Sequence, residues 1–368
     1  MMFAFERSPV FRILGLSALA PFNGHALDAL GQALEGDVDW DQLVVGAKRH
    51  RLVVPLINSL RMGGFCGRVP ADCLHALNQL RGGQVALALQ RAGLVVRMAA
   101  AFRQAGVEAL FLKGPVLSQR LYGRPEVRGS GDVDVLVRPE HVERARLVLS
   151  ALDVVVERDA GTGLNRFVYH EDGFRDARTG IWVELHRRLS ANPYAVPLDF
   201  DALWQARSHV SIVGEAVAVL STGHEALFLI VHGAGHGWQR LRWLTDMAVL
   251  LRSPDALAES MGAAAAVGMM PALHHTLGLA QRWLGMPPIG GAVKPSWRVR
   301  AMIWAARAGH DGGGWGAPQR VHLDNPLRYV GVRMARYALR QMTAPNWRCR
   351  TYDVLLGVLK LVIRVQMR

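Results

Sequence analysis

Two aspartates one residue apart, Asp132 and Asp134, stand in the segment DVDVLV, where polar and apolar residues alternate. Such alternation reads as a half-buried strand, and residues two apart on a strand point to one face. Two carboxylates crowded on one face repel unless a cation lies between them. Magnesium meets that need, because it takes oxygen ligands and binds through one or two carboxylates together with substrate phosphates. A third acid, Glu184, occupies the middle of IWVELH, on the same face of its strand as Trp182 and His186. An acid in an apolar strand is costly to bury unless a metal or a base accompanies it. If that strand lies beside DVDVLV, three carboxylates meet. The plainer alternatives are an Asp pair that caps a turn or faces solvent, and a Glu184 that pairs with Arg187 or Arg188 at the strand end.

Upstream, the apolar run VEALFL at 107–112 has strand length and ends at Lys113-Gly114-Pro115. Proline favours the first turn of a helix, so VLSQRLYG follows as one. Glycine allows a close backbone approach and a helix N-terminus attracts anions, which makes Lys113-Gly114 a candidate phosphate site. Taken alone it reads better as an ordinary turn; the signal lies in its company with the Asp pair. The polar loop RPEVRGSG, with Arg128 and Ser130, leads from this helix into the Asp pair.

These residues need elements to position them. Residues 1–105 show apolar positions three and four apart, the helical period, with Gly63-Gly64 and Gly82-Gly83 expected as turns. PEHVERARLVLSALD reads as a helix opened by Pro139 and Glu140. RFVYHE at 166–171 and GIWVELHRR at 180–188 read as two strands of a hairpin joined by DGFRDART. After about 215 the helical period returns, interrupted by MPPIGG at 286–291 and GHDGGGWGAP at 309–318. The expected fold is α+β: a small mixed β-sheet core over 106–215, flanked by helical regions at 1–105 and 216–368.

With 51% hydrophobic and 20% charged residues the chain is globular, and its length suits two or three units. Its net charge of +13 fits nucleic acid, an anionic surface or a polyphosphate ligand without choosing among them. Cys66, Cys73 and Cys349 are sparse and show neither CxxC spacing nor an accompanying His pair, which argues against a disulfide framework or a structural zinc site. A reducing cytoplasm is the expected compartment. The start, MMFAFERSPVFRILGLSALAPF, lacks the charged-then-apolar order of a signal peptide and is expected within the fold. No uninterrupted apolar run reaches the ~18 residues of a membrane span, so no integral membrane segment is expected.

The stretch FLKGPVLSQRLYGRPEVRGSGDVDVLV, followed by WVELHRRL, resembles the uncharacterised nucleotidyltransferase family of the DNA polymerase β-type superfamily. Downstream, LFLIVHGAGHGWQRLRWLTDMAVLL resembles that family's helical segment through His232, His236, Arg240, Trp243 and Asp246, and the likeness covers roughly 107–251. One departure stands out: the superfamily has Gly-Ser at the helix start near its Asp pair, whereas here Pro115 follows Gly114 and a loop with Arg124, Arg128, Gly129 and Gly131 intervenes, leaving Ser130 to supply a hydroxyl. The resemblance implies a two-metal transfer. Asp132, Asp134 and Glu184 would hold two Mg2+ ions and carry the catalysis, while Lys113, Gly114, Arg128 and Ser130 would bind the nucleoside triphosphate, ATP among the candidates. The acceptor hydroxyl is left open between a small metabolite, a sugar and a peptide.

Other signals are weaker. His232 and His236 share a helix face as a zinc pair would, but the intervening residues lack the HExxH glutamate, so polar packing or a cleft wall is the better reading. Trp238 and Trp243 read as core or cleft wall. TYDVLLGVLKLVIRVQMR reads as a buried last helix, with a peripheral membrane helix as its alternative. The Arg-rich SWRVRAMIWAARAG and RYVGVRMARYALRQ read as solvated faces, with nucleic-acid guidance as theirs. Nucleic acid is a less favoured partner, since no RNP-type aromatic motif, KH loop or zinc knuckle is present. The rival functions are therefore an RNA-binding or tRNA-modifying enzyme and a catalytically silent binding module.

Overall fold

The computed structural model describes residues 8–159, 169–285 and 344–366, with side chains to Leu356 in the last segment. The interruptions MPPIGG and GHDGGGWGAP, the two Arg-rich segments, and the first half of RFVYHE lie outside these residues. The described residues form two units. One joins those up to Gln84 to those from Leu229 onward; the other joins Val85–Phe228 to the segment beginning at Ala344.

The first unit is helical. Pro9–Leu19 (α1), Gly24–Ala33 (α2), Trp40–His50 (α3) and Val53–Met62 (α4) form its N-terminal part. Asn23 and Asp39 cap α2 and α3 by accepting from the backbone N–H groups of His25 and Gln42, one orphan donor satisfied in each case. Gly63 and Gly64 end α4 as expected, Gly64 with a left-handed φ of 68°.

The next helix, Ala71–Gln104 (α5), overturns one expectation. Gly82 and Gly83 lie in its interior and do not break it. No heavy atom lies within 4 Å of where either Cβ would stand, so the pair meets open space and costs only the ~1 kcal/mol per glycine of a helix interior. Among the described residues, α5 alone is long and apolar enough to cross a membrane, by length and composition. Its side chains give it another role: Leu94, Val95, Met98 and Phe102 belong to the core of the second unit, Arg97 pairs with Asp176, and Arg91 donates to the carbonyl of Gly131 at 3.3 Å.

The second unit is built on a mixed five-stranded sheet: Ala109–Phe111 (β1), Asp132–Val137 (β2), Val154–Arg158 (β3), Glu171–Asp176 (β4) and Trp182–His186 (β5), in the order β1-β2-β5-β4-β3. β2 and β5 run parallel and the remaining pairs antiparallel. Gly114–Tyr122 (α6) and Val142–Ala151 (α7) complete the βα connections. Val133, Val135, Val183, Leu185 and Phe174 point to one face, where α5 and α7 cover them with residues such as Phe102, Ala145 and Leu149. The α+β expectation holds, and the sheet's other face carries Asp134, Glu184 and His186.

Three strand assignments from the sequence change. DGFRDART is not a connection, because its first five residues belong to β4; the turn is confined to the residues before β5. The reason is tertiary. Asp172 and Asp176 point to the core face with no exposed surface, where Arg146 of α7 and Arg187 neutralise Asp172 at 3.2 and 2.8 Å, and Arg97 of α5 stands 3.4 Å from Asp176. β3, the run VVVER, escaped the sequence reading altogether. After Phe200–Gln205 (α8) comes a hairpin of Ser208–Ile212 (β6) and Glu215–Val219 (β7), and β7 takes the start of the stretch, after about 215, where the helical period was expected to resume. Val213 and Gly214, both at positive φ, make its two-residue turn.

Helices return with Thr222–Gly235 (α9), Leu241–Leu250 (α10), Pro254–Ala266 (α11) and Met270–Leu284 (α12). In the first unit every residue of α10 is buried, and His50 Nδ1 accepts from the Leu241 N–H at 3.1 Å at its start. α1 crosses α12 closely at Gly15, where a Cβ would come within 2.8 Å of the Trp283 carbonyl. The last helix, Trp347–Gln366 (α13), docks on the second unit by a buried knot in which Asn192 donates to the Cys349 carbonyl at 2.8 Å and to Asp353 at 2.9 Å. Its Trp347, Val354 and Leu355 remain exposed.

Candidate active site

Register decides which side chains share the polar face. In the parallel pair Asp132 lies opposite Trp182, Asp134 opposite Glu184 and Leu136 opposite His186. In the next pair Glu171 lies opposite His186, Gly173 opposite Glu184 and Arg175 opposite Trp182. One row across the sheet is therefore Asp134, Glu184 and Gly173, and Glu184 does lie beside the Asp pair.

Asp134 is the buried centre. Its Oδ1 receives the Lys113 ammonium at 2.9 Å and His186 Nε2 at 3.1 Å, while Oδ2 is buried with no hydrogen-bond partner among the described residues. Burial alone would raise its pKa, but the Lys113 charge and the His186 hydrogen bond outweigh burial and hold the carboxyl well below the usual range. His186, 4% exposed, shows the reverse balance. Burial disfavours its charge, yet Asp134 and Glu184 carry its pKa up to about 9. Glu184 stands 3.6 Å from His186 Nε2, accepts from Trp182 Nε1 at 3.3 Å and lies 3.8 Å from Arg158. Of the two arginines named as alternative partners for Glu184, Arg187 turns to Asp172 on the opposite face.

Among the described residues, the donor atoms of Asp134, Glu184 and His186 come within 4.8 Å of one another, as do those of His170, Glu171 and His186. Asp132, half-exposed at the start of β2, joins neither set, though its charge acts on Lys113. The structure thus gathers Asp134 and Glu184 around His186 and sets Asp132 at the rim. His186 was missed as a ligand candidate, although its i, i+2 spacing from Glu184 carried the signal.

The anion-binding candidates lie at the start of α6. Leu112 N–H donates to the Asp134 carbonyl at 3.0 Å, so β1 delivers Lys113 to the Asp pair. Gly114 has φ +69°, and a Cβ there would meet the Asp132 carbonyl at 3.1 Å, which reserves the position for glycine. Ser130 is buried near it, its Oγ without a hydrogen-bond partner among the described residues. The loop before β2 is clamped from α6: Ser118 Oγ donates to the Arg124 carbonyl at 2.6 Å and accepts from the Arg128 N–H at 2.9 Å. Arg128 is 3% exposed. Arg120 anchors α6 to the start of α9, with Glu225 at 2.7 Å and Thr222 at 2.9 Å.

In the first unit His232, His236 and Trp243 cluster with ring centroids 4.7 to 5.4 Å apart, and Arg240 lies 5.6 Å over the Trp243 ring. Trp238 is wholly buried against Gly233 and belongs to the core.

The family described as uncharacterised nucleotidyltransferase matches residues 36–285, more than half of the 368 and a wider span than the 107–251 that the motifs suggested. No curated protein matches the chain.

Proposed function

Since the chain belongs to the uncharacterised nucleotidyltransferase family, we propose that it moves a nucleoside monophosphate from a nucleoside triphosphate to a hydroxyl of a small-molecule, sugar or peptide acceptor, with Mg2+ as cofactor. The observation that carries this reading is the buried, unpartnered Oδ2 of Asp134 in one row with Glu184. An ionised carboxylate oxygen left so is costly unless a cation is to meet it. The donor set fits magnesium, with Asp134, Glu184 and the rim carboxylate Asp132 as its oxygen ligands. When bound, a pair of such ions supplies charge for both the attacking and the leaving oxygen of an in-line displacement.

The chain's own residues do the rest. The α6 N-terminus, Ser130 and Arg128 hold the triphosphate, and Lys113, which neutralises Asp134 in the structure, contributes a point charge to its outer phosphates. The acceptor hydroxyl oxygen attacks the α-phosphorus and gives up its proton to solvent, the bond to the α–β bridging oxygen breaks, and pyrophosphate leaves with that oxygen. His186 holds Asp134 in orientation through its 3.1 Å contact. The three free cysteines support a reducing compartment, and we take the cytoplasm as the site of action.

The test is to incubate purified protein with each labelled triphosphate and Mg2+, with and without a cell metabolite extract. Transferred label with released pyrophosphate is the expected result, and no transfer with any triphosphate would overturn the reading. The +13 charge is compatible with a second reading, in which RNA is the partner. A sub-micromolar RNA complex that weakens steeply with salt would put that reading first.

A further inference from the structure

The polar face of the sheet carries a second group of donors. His170 immediately precedes β4, and Glu171 opens it as the register partner of His186. His170 Nδ1 stands 2.5 Å from Glu171 Oε2, and the His170 and His186 rings meet edge to face with centroids 5.3 Å apart. The donor atoms of all three residues lie within 4.8 Å of one another.

His186 links this group to Asp134. Its Nε2 faces Asp134 and Glu184, while Nδ1 is buried without a hydrogen-bond partner among the described residues, in a residue only 4% exposed. A buried ring nitrogen left unpaired needs an explanation. A general rule of metal sites provides one: a ligating imidazole usually gives its other N–H to a carboxylate, which fixes the ring and the tautomer. With Nε2 turned to Asp134, Nδ1 is the ring nitrogen left for an ion, whose binding displaces any proton it carries.

We propose that His170, Glu171 and His186 bind one divalent transition metal of borderline softness, with zinc as the type, through two imidazole nitrogens and one carboxylate oxygen. This donor set suits zinc, whereas magnesium takes oxygen. Three protein ligands leave a fourth position open, the arrangement of zinc sites that also bind water or substrate. The direct His170–Glu171 contact closes the site when no ion is bound and opens to admit one. Through His186 the ion braces Asp134 from behind.

Chelator-stripped protein is titrated with Zn2+ by calorimetry and with Co2+ by visible spectroscopy. One ion per chain is expected, with Co2+ bands in the visible range and no displacement by excess Mg2+. His170→Ala and Glu171→Gln should each weaken binding by about tenfold or more, while Asp132→Asn, which removes no donor of this group, leaves it unchanged. Melting curves without metal verify that each variant folds, and X-ray absorption on the loaded parent protein reads the ligand shell independently of any variant. No binding, equal affinity in the His170 and Glu171 variants, or an oxygen-only shell would overturn the proposal. None of these readouts uses nucleotide transfer, so this site and the transferase reading fail separately.

Discussion

The Lys113 ammonium stands 2.9 Å from Oδ1 of Asp134, a carboxylate with no exposed surface. Burial alone would lower the lysine's pKa. Asp134, Asp132 and Glu184 outweigh it and hold Lys113 above its ordinary value, so both partners stay charged. A buried ion pair of this kind is costly to make but far costlier to break from one side, because the remaining charge is stranded.

Lys113→Met should therefore destabilise the fold by about 3–5 kcal/mol, the usual cost of removing one partner of a buried pair. Added Mg2+ should raise the melting temperature of this variant more than that of the parent, since a cation at Asp134 replaces the missing charge. Denaturant titration and melting with and without Mg2+ read both effects, and an equal Mg2+ response would count against a metal at Asp134.

The two aspartates should separate. Asp132 sits half-exposed at the rim, so Asp132→Asn is expected to melt like the parent while losing activity by ~100-fold or more, beyond what loss of a mere orienting partner costs. Asp134→Asn leaves Lys113 and His186 facing a neutral amide and should lose stability as well as activity. Parallel melting and transfer assays decide, and an Asp132→Asn enzyme at the parental rate would remove Asp132 from the site.

Glu184 lies in one row with Asp134 and, among the described residues, reaches no arginine closer than Arg158 at 3.8 Å. Glu184→Gln is expected to bind Mg2+ and triphosphate within a few-fold of the parent yet transfer orders of magnitude more slowly, the pattern of an interaction made chiefly in the transition state. Single-turnover rates beside binding titrations measure the split. A lower melting temperature with turnover spared would make Glu184 structural.

Burial, with Asp353 beside it, pushes the Cys349 thiol up to about 12, and the residue is only 2% exposed. Thiolate is the reactive form, so iodoacetamide at pH 8 should label half-buried Cys66 in the folded protein and reach Cys349 only on unfolding. The sign for stability follows. An unfolded thiol ionises near ~8.5 while the folded one stays protonated, so this contribution is intact below that pH and declines as pH rises toward 12. Peptide mass mapping after timed labelling, with melting across the same pH range, tests both.

The local pattern of the chain was enough for the parts that local physics governs. The alternation of DVDVLV, the strand-to-helix junction at Lys113-Gly114-Pro115 and the helical period before Gln104 all became the elements they suggest, because side-chain spacing and proline's preset φ act within a few residues. The candidate carboxylates could be named for the same reason. Only the tertiary structure decided what those residues meet. β4 is a strand because Arg97, Arg146 and Arg187 neutralise its two core-facing aspartates, partners that no window around DGFRD contains. Gly82 and Gly83 remain helical because nothing in the fold requires a turn there. The parallel register of β2 and β5 places Glu184 against Asp134 and brings in His186, a relation between residues about fifty positions apart that sequence spacing cannot encode.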